Sequence, residues 1–196
     1  MPDLGRDQLE TAVRALGELL GARGHHYEMV LIGGGNLILR GLVTRPTTKD
    51  LDVLGAWSPT GVAALEKMPG PLAVGIEDVA LAYGLSSDWM NLGPAAILDH
   101  GVPSGFLERL ERRDYGGLVL WLADRVDMIC FKLFAAVDQG IRSRHLQDLR
   151  ELAPTRDELL VAARWTRTHD PSPGYRALLL ETLVVLGVES PDADLE

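Results

Sequence analysis

The chain has 196 residues, 46% of them hydrophobic and 24% charged, which suits one soluble globular core or a small α/β domain with a helical extension. Its net charge of −9 argues against a general nucleic-acid binder, whose affinity rests on Lys and Arg neutralising phosphates. No apolar run reaches the roughly 18 residues of a membrane span, and the polar, acidic start at Met1–Asp7 argues against a secretory signal. The single Cys130 has no partner for an internal disulfide, so a reducing cytoplasm is expected.

Residues 7–23 carry Leu9, Val13, Leu16, Leu19 and Leu20 at helical spacing, with Gly21 and Gly24 as the stop. An apolar strand follows over residues 28–32. It ends in three glycines, Gly33, Gly34 and Gly35, and Asn36 opens a short helix to residue 40. Residues 44–49 read as a polar linker and residues 50–56 as a second strand. Ser58-Pro59 has the form of a cap and first turn, which predicts a helix to residue 67. Pro69-Gly70-Pro71 breaks it, and a helix is expected over 72–85. Residues 86–103 read as irregular. Residues 106–113 and 118–122 flank Asp114-Tyr115-Gly116-Gly117 as a hairpin. Four helices complete the chain, over 124–138, 144–152, 155–169 and 175–186; the third opens on a Thr155/Glu158 capping box. The order predicts one mixed α/β sheet with flanking helices and a helical C-terminal half.

The chemistry concentrates between residues 30 and 54. Strand alternation puts Asp50 and Asp52 on one face and Leu51 and Val53 on the other. Two adjacent carboxylates repel and are most easily kept ionised by a hard divalent cation such as Mg²⁺. The glycines let backbone approach a phosphate, and a helix beginning at Asn36 would aim free N–H groups at it. A nucleoside triphosphate with its metal fits these parts. The glycine run lacks the third glycine of a dinucleotide fingerprint, with Ile38 in that place, and lacks the Gly-Lys-Ser/Thr ending of a P-loop.

Strand, glycine pair, helix and Asp-x-Asp in this order resemble the nucleotidyltransferase superfamily. More narrowly, Ile32-Gly33-Gly34 through Arg45, Thr47 and Asp50-Leu51-Asp52 is similar to the minimal nucleotidyltransferases of the AbiEii type and the related DUF6036 proteins. Residues 127–135, with Lys132, and His145-Leu146-Gln147-Asp148-Leu149 are similar to that group's second signature. The resemblance implies a nucleotidyltransferase core over 1–123 and a helical part over 124–196 packed on it, or one domain over 1–190. It implies Asp50 and Asp52 as metal ligands, and Gly33, Gly34, Gly35, Asn36, Arg45, Thr47 and Lys132 around the nucleotide. Lys132 would neutralise triphosphate charge, and Asp148 would position or activate the acceptor, or orient the lysine.

The resulting expectation is Mg²⁺-dependent transfer of a nucleoside monophosphate from an NTP to an RNA, such as a tRNA end, or to a protein. The implied setting is a toxin–antitoxin or phage-defence system with a cognate partner. The alternative is a non-catalytic binding or antitoxin module on the same fold, favoured by the acidic balance and by Asp138-Gln139 where the group often has arginine. A metal-dependent phosphohydrolase is a third reading. Glu108, Glu111 and Asp88 are candidates for a third carboxylate. His25 and His26 read as a surface pair, Cys130 as core, and Trp57, Trp89, Trp121 and Trp165 as core or interface, with Trp89 and Asn91 lining the nucleotide site as the lesser alternative. Arg109, Arg112, Arg113, Arg142 and Arg144 read as scattered solvated charges rather than a patch.

Overall fold

A computed structural model describes residues 4–44 and 47–194. Backbone contacts divide the chain into two compact units, Met1–Asp124 and Arg125–Glu196.

In the first unit a short strand β1 (Leu4–Gly5) leads into helix α1 (Arg6–Ala22). The buried positions of α1, Leu9, Ala12, Val13, Leu16 and Leu20, recur every three or four residues, as an amphipathic helix on a sheet requires. Strand β2 (Tyr27–Ile32) and helix α2 (Gly33–Arg40) follow, then β3 (Thr47–Thr48), β4 (Leu51–Ser58), β5 (Gly61–Ala63), α3 (Gly70–Tyr83) and β6 (Met90–Asn91). A 3-10 turn (Ala95–His100), helix α4 (Phe106–Arg109) and the hairpin of β7 (Glu111–Asp114) and β8 (Leu118–Leu122) complete the unit. The main sheet has the order β5-β4-β2-β8-β7, with β6 beside β4. It is mixed: β2 runs antiparallel to β4 and parallel to β8. The central strands are closed on both faces, which is why Met29 to Ile32 and Leu118 to Leu120 read as unbroken apolar runs rather than alternating ones. Leu51 and Val53 face a cluster that includes Leu16 and Leu20 of α1 and Leu72 and Ile76 of α3.

Several local expectations are corrected: the hairpin arm expected over 106–113 is α4 followed by β7, and the stretch 86–103 read as irregular contains β6. The helix expected at 58–67 is a hairpin in which Trp57 opposes Val62 and Ser58 opposes Gly61. The Ser58 hydroxyl donates to the Gly61 carbonyl at 2.9 Å, closing the turn where a helix cap was expected. Helix α2 begins at Gly33, three residues before Asn36, so the glycines are its first turn. The polar linker contains β3, which pairs with β1 through Leu4↔Thr48 and Gly5↔Thr47.

The second unit is helical: α5 (Arg125–Gln139), α6 (Arg144–Leu152), α7 (Arg156–His169) and α8 (Pro173–Val185). α5 packs on the other three. Phe131 meets Trp165 edge-on at 5.4 Å, and Phe134 stacks obliquely with His169 and Tyr175. Cys130 is buried on α5, as expected. Among the described residues no helix is long and apolar enough to cross a membrane.

α7 opens with the expected capping box. Thr155 Oγ1 accepts from the Glu158 N–H at 3.2 Å, and a Glu158 carboxylate oxygen accepts from the Thr155 N–H at 2.8 Å. Arg125 also donates to Glu158, at 2.6 Å. Hydrogen bonds from Arg125, then from Thr155, hold the Glu158 carboxyl below its ordinary value of 4.5. A depressed carboxylate stabilises the fold above its unfolded pKa, and the contribution is lost as pH falls through the folded value. Denaturant titrations should therefore show wild-type stability falling as the solution is acidified below about pH 4.5. Glu158→Gln should flatten that dependence; an identical slope would contradict the coupling.

Candidate active site

β2 and β4 meet with Ile32 opposite Asp52, so the chain turns into α2 beside the second carboxylate. A register shift at Val30/Leu31 sets this alignment. Gly33 has φ 77°. A Cβ there would overlap the Asp52 carboxylate, coming 2.7 Å from its Cγ. A Cβ on Gly35 would lie 2.8 Å from the Asp50 carbonyl oxygen and would overlap the Leu51 side chain. Two glycines thus let the start of α2 lie directly against the strand that carries the acids. The positive end of the helix, with its first N–H groups, lies at Asp52.

Asp50 stands one residue before β4 and is half-buried, as is Asp52. The Asp50 carbonyl accepts from Thr48 Oγ1 at 3.4 Å, and the Leu51 N–H donates to the Trp89 carbonyl at 2.7 Å. Leu51 and Val53 are fully buried, so the alternation expected from the sequence holds here. Asn91 donates from Nδ2 to Asp50 Oδ2 at 3.2 Å and lies opposite Asp52 in the parallel β6/β4 pairing. Trp89 is core: it is fully buried and its Nε1 donates to the Ile76 carbonyl at 3.1 Å.

None of the three candidate acids joins the pair. Glu111 pairs with Arg40 at 3.3 Å and Arg113 at 2.7 Å, the Asp88 carboxylate accepts from the Ser86 hydroxyl, and Glu108 is exposed on α4. Among the described residues no group of three or more His, Cys, Asp or Glu side chains is placed to hold a metal. Among the described residues the candidate donors in the first unit are thus the carboxylates of Asp50 and Asp52. Hard oxygen donors of this kind, with room for water and substrate oxygens, suit Mg²⁺.

Asn36 is fully buried, and its Nδ2 donates to the Ala123 carbonyl at 3.1 Å. Arg40, one turn later, donates to the same carbonyl at 3.0 Å and pairs with Asp124 at 3.2 Å. These bonds anchor α2 to the end of β8. Asn36 is thus the fourth residue of the helix with its side chain turned to Ala123, so it does not open the helix towards a phosphate as the sequence suggested. Its i, i+4 spacing with Arg40 was the available signal for a shared anchor. Thr47 lies in β3, and Arg45 lies outside the described residues.

In the second unit the structure joins the other two expected residues. Lys132 Nζ on α5 lies 2.7 Å from Asp148 Oδ2 on α6, with the side chains 5% and 1% exposed. A buried ammonium requires such an anionic partner, because desolvating an isolated charge costs far more than folding can offset. The pair therefore joins α5 to α6.

Residues 7–153 match the DUF6036 family, described as a nucleotidyltransferase of unknown function. The matched span contains both the Asp50/Asp52 and the Lys132/Asp148 pairs. No curated protein and no solved structure matches the chain.

Gly33→Ala should lower stability by at least ~1–2 kcal/mol through left-handed strain alone, and should displace Asp52 as well. Thermal unfolding and divalent-cation binding should both register the change; a variant equal to wild type in both would contradict the close approach. Lys132→Ala leaves the Asp148 carboxylate buried without its ammonium and should cost ~3–5 kcal/mol in urea unfolding. The double variant Lys132→Met with Asp148→Leu should cost less than the single one.

Proposed function

The chain belongs to the DUF6036 family of nucleotidyltransferases, and from that membership we propose that it moves a nucleoside monophosphate from an NTP to an acceptor hydroxyl, with Mg²⁺ held by Asp50 and Asp52. One observation carries the reading: α2 begins on two glycines packed so closely against the Asp50–Asp52 segment that a Cβ at residue 33 would fill the space of the Asp52 carboxylate. Such packing keeps two acids fixed beside the positive end of a helix, where a triphosphate and its cation can be received together.

When bound, the cation would neutralise the carboxylates and draw charge from the phosphoryl oxygens. Asp50 and Asp52 would hold and orient it. The acceptor oxygen forms its bond to the α-phosphorus as the bond to the pyrophosphate oxygen breaks; the hydroxyl proton leaves to solvent or a nearby base. Gly33, Gly34 and Gly35 form the phosphate side through backbone N–H groups. Arg45, Thr47, Lys132 and Asp148 enter from motif order, Lys132 as the counter-charge of the triphosphate. The 2.7 Å contact favours Asp148 as the group that orients the lysine over one that activates the acceptor. An RNA or protein acceptor, AbiEii-type kinship and a toxin–antitoxin or phage-defence setting with a cognate partner belong to the same proposal and rest on that motif order; a cytoplasmic location rests on the single Cys130.

A second reading keeps the fold as a binding or antitoxin module without catalysis; the net charge of −9 favours it. Incubation with each α-labelled NTP, total RNA and cell lysate separates the two. Asp50→Asn combined with Asp52→Asn should reduce label transfer to background while circular dichroism stays that of wild type. Transfer unchanged in the double variant would overturn the metal assignment, and calorimetry showing no Mg–NTP binding at millimolar ligand would favour the second reading.

A further inference from the structure

We infer that Asn91 is a positioning residue for Asp50 and, as a neutral amide opposite Asp52, limits the site to two negative charges suited to one divalent cation. The inference rests on the proposed metal-binding role of Asp50 and Asp52. It does not follow from family membership, because Asn91 lies outside every motif that pointed to the family.

An asparagine amide has a donor end and an acceptor end, and its orientation must be inferred from its neighbours. Here the backbone decides it. The Gly93 N–H can only donate, and it meets Asn91 Oδ1 at 2.8 Å. Nδ2 is thereby turned to Asp50 Oδ2 at 3.2 Å, and it also reaches the Asp88 carbonyl at 3.4 Å. Both ends of the amide are thus engaged. Asp50 needs such support more than Asp52 does, because it precedes β4 and lies outside the ladder that fixes Asp52 against Ile32. A donated hydrogen bond removes the rotational freedom that the carboxylate would otherwise lose on binding a cation, which is how groups behind a metal ligand raise affinity.

The charge of residue 91 matters as well as its hydrogen bonds. Asn91 is the register partner of Asp52 and is bonded to Asp50, so it sits against both acids. A carboxylate at this position would bring a third negative charge to the cluster. Without metal it would repel the other two; with metal it would add an anionic donor. The amide supplies orientation without that charge. The incoming NTP then brings its own phosphate oxygens to a cation balanced by two protein charges.

The test uses the full chain and Mn²⁺ as the probe, a hard cation read directly by electron paramagnetic resonance of the free ion. Wild type should bind one Mn²⁺ per chain. Asn91→Ala should weaken the Kd about tenfold or more. Asn91→Asp should unfold at a lower temperature than wild type without metal and show a larger rise in Tm with Mn²⁺. The aspartate variant also serves if the alanine variant fails to fold. A purely structural role would lower the metal-free Tm of Asn91→Ala and leave its Kd unchanged; that result overturns the positioning role. An Asn91→Asp variant whose Mn²⁺-induced rise equals wild type's overturns the charge argument. Wild type that binds no Mn²⁺ at millimolar concentration overturns the metal assignment of Asp50 and Asp52 and this inference with it, whereas wild-type binding shared unchanged by both variants overturns this inference alone.

Discussion

Asp52 can stand where it does only because residue 33 has no side chain. The carboxylate fills the volume that a Cβ would take, and the backbone at Gly33 adopts a positive φ that other residues reach at a cost. Much of the first unit serves this contact. The β2/β4 register sets Ile32 against Asp52, and the shift at Val30/Leu31 tunes the alignment. Asn36 and Arg40 then fix α2 at its far side by sharing the Ala123 carbonyl. Gly35 repeats the close approach one step along, against the Asp50 carbonyl. The glycine run is therefore a packing device for the acids as much as a phosphate turn.

The two charged pairs solve different electrostatic problems. Lys132 and Asp148 are almost wholly buried and balance each other within the helical unit. Removing either partner leaves the other to bear its desolvation. Asp50 and Asp52 are only half-buried, and Asp50 is met by a neutral amide. Two carboxylates of one sign side by side are a poor choice for stability alone, and a cation-binding role gives a reason for them. The two pairs lie in separate units but within one family-matched span.

What could be read from the sequence followed from periodicity and local chemistry. α1 and the four C-terminal helices announce themselves by apolar spacing, and α7 by its Thr155/Glu158 box. Glycines followed by Asp-x-Asp at the right distance place the acids on one face without any structure. The failures have a common cause in non-local pairing. Ser58-Pro59 has the local form of a helix start, yet Trp57 pairs with Val62 and the Ser58 hydroxyl closes the hairpin. β1, β3 and β6 are two residues long, too short to show a period. Asn91 sits in what reads as an irregular stretch, and its bond spans 41 positions in sequence. Asn36 was legible as a helix residue, but the target of its side chain, 87 positions away, was not.

The glycine-cradled pair Asp50 and Asp52 is proposed as a divalent-cation site for a nucleotide. Anomalous diffraction from crystals grown with Mn²⁺ and a non-hydrolysable NTP tests it most directly. An anomalous peak is expected within coordinating distance of both carboxylates, with triphosphate oxygens on the same ion. Well-ordered nucleotide bound elsewhere, or a peak that leaves Asp50 and Asp52 untouched, would contradict it.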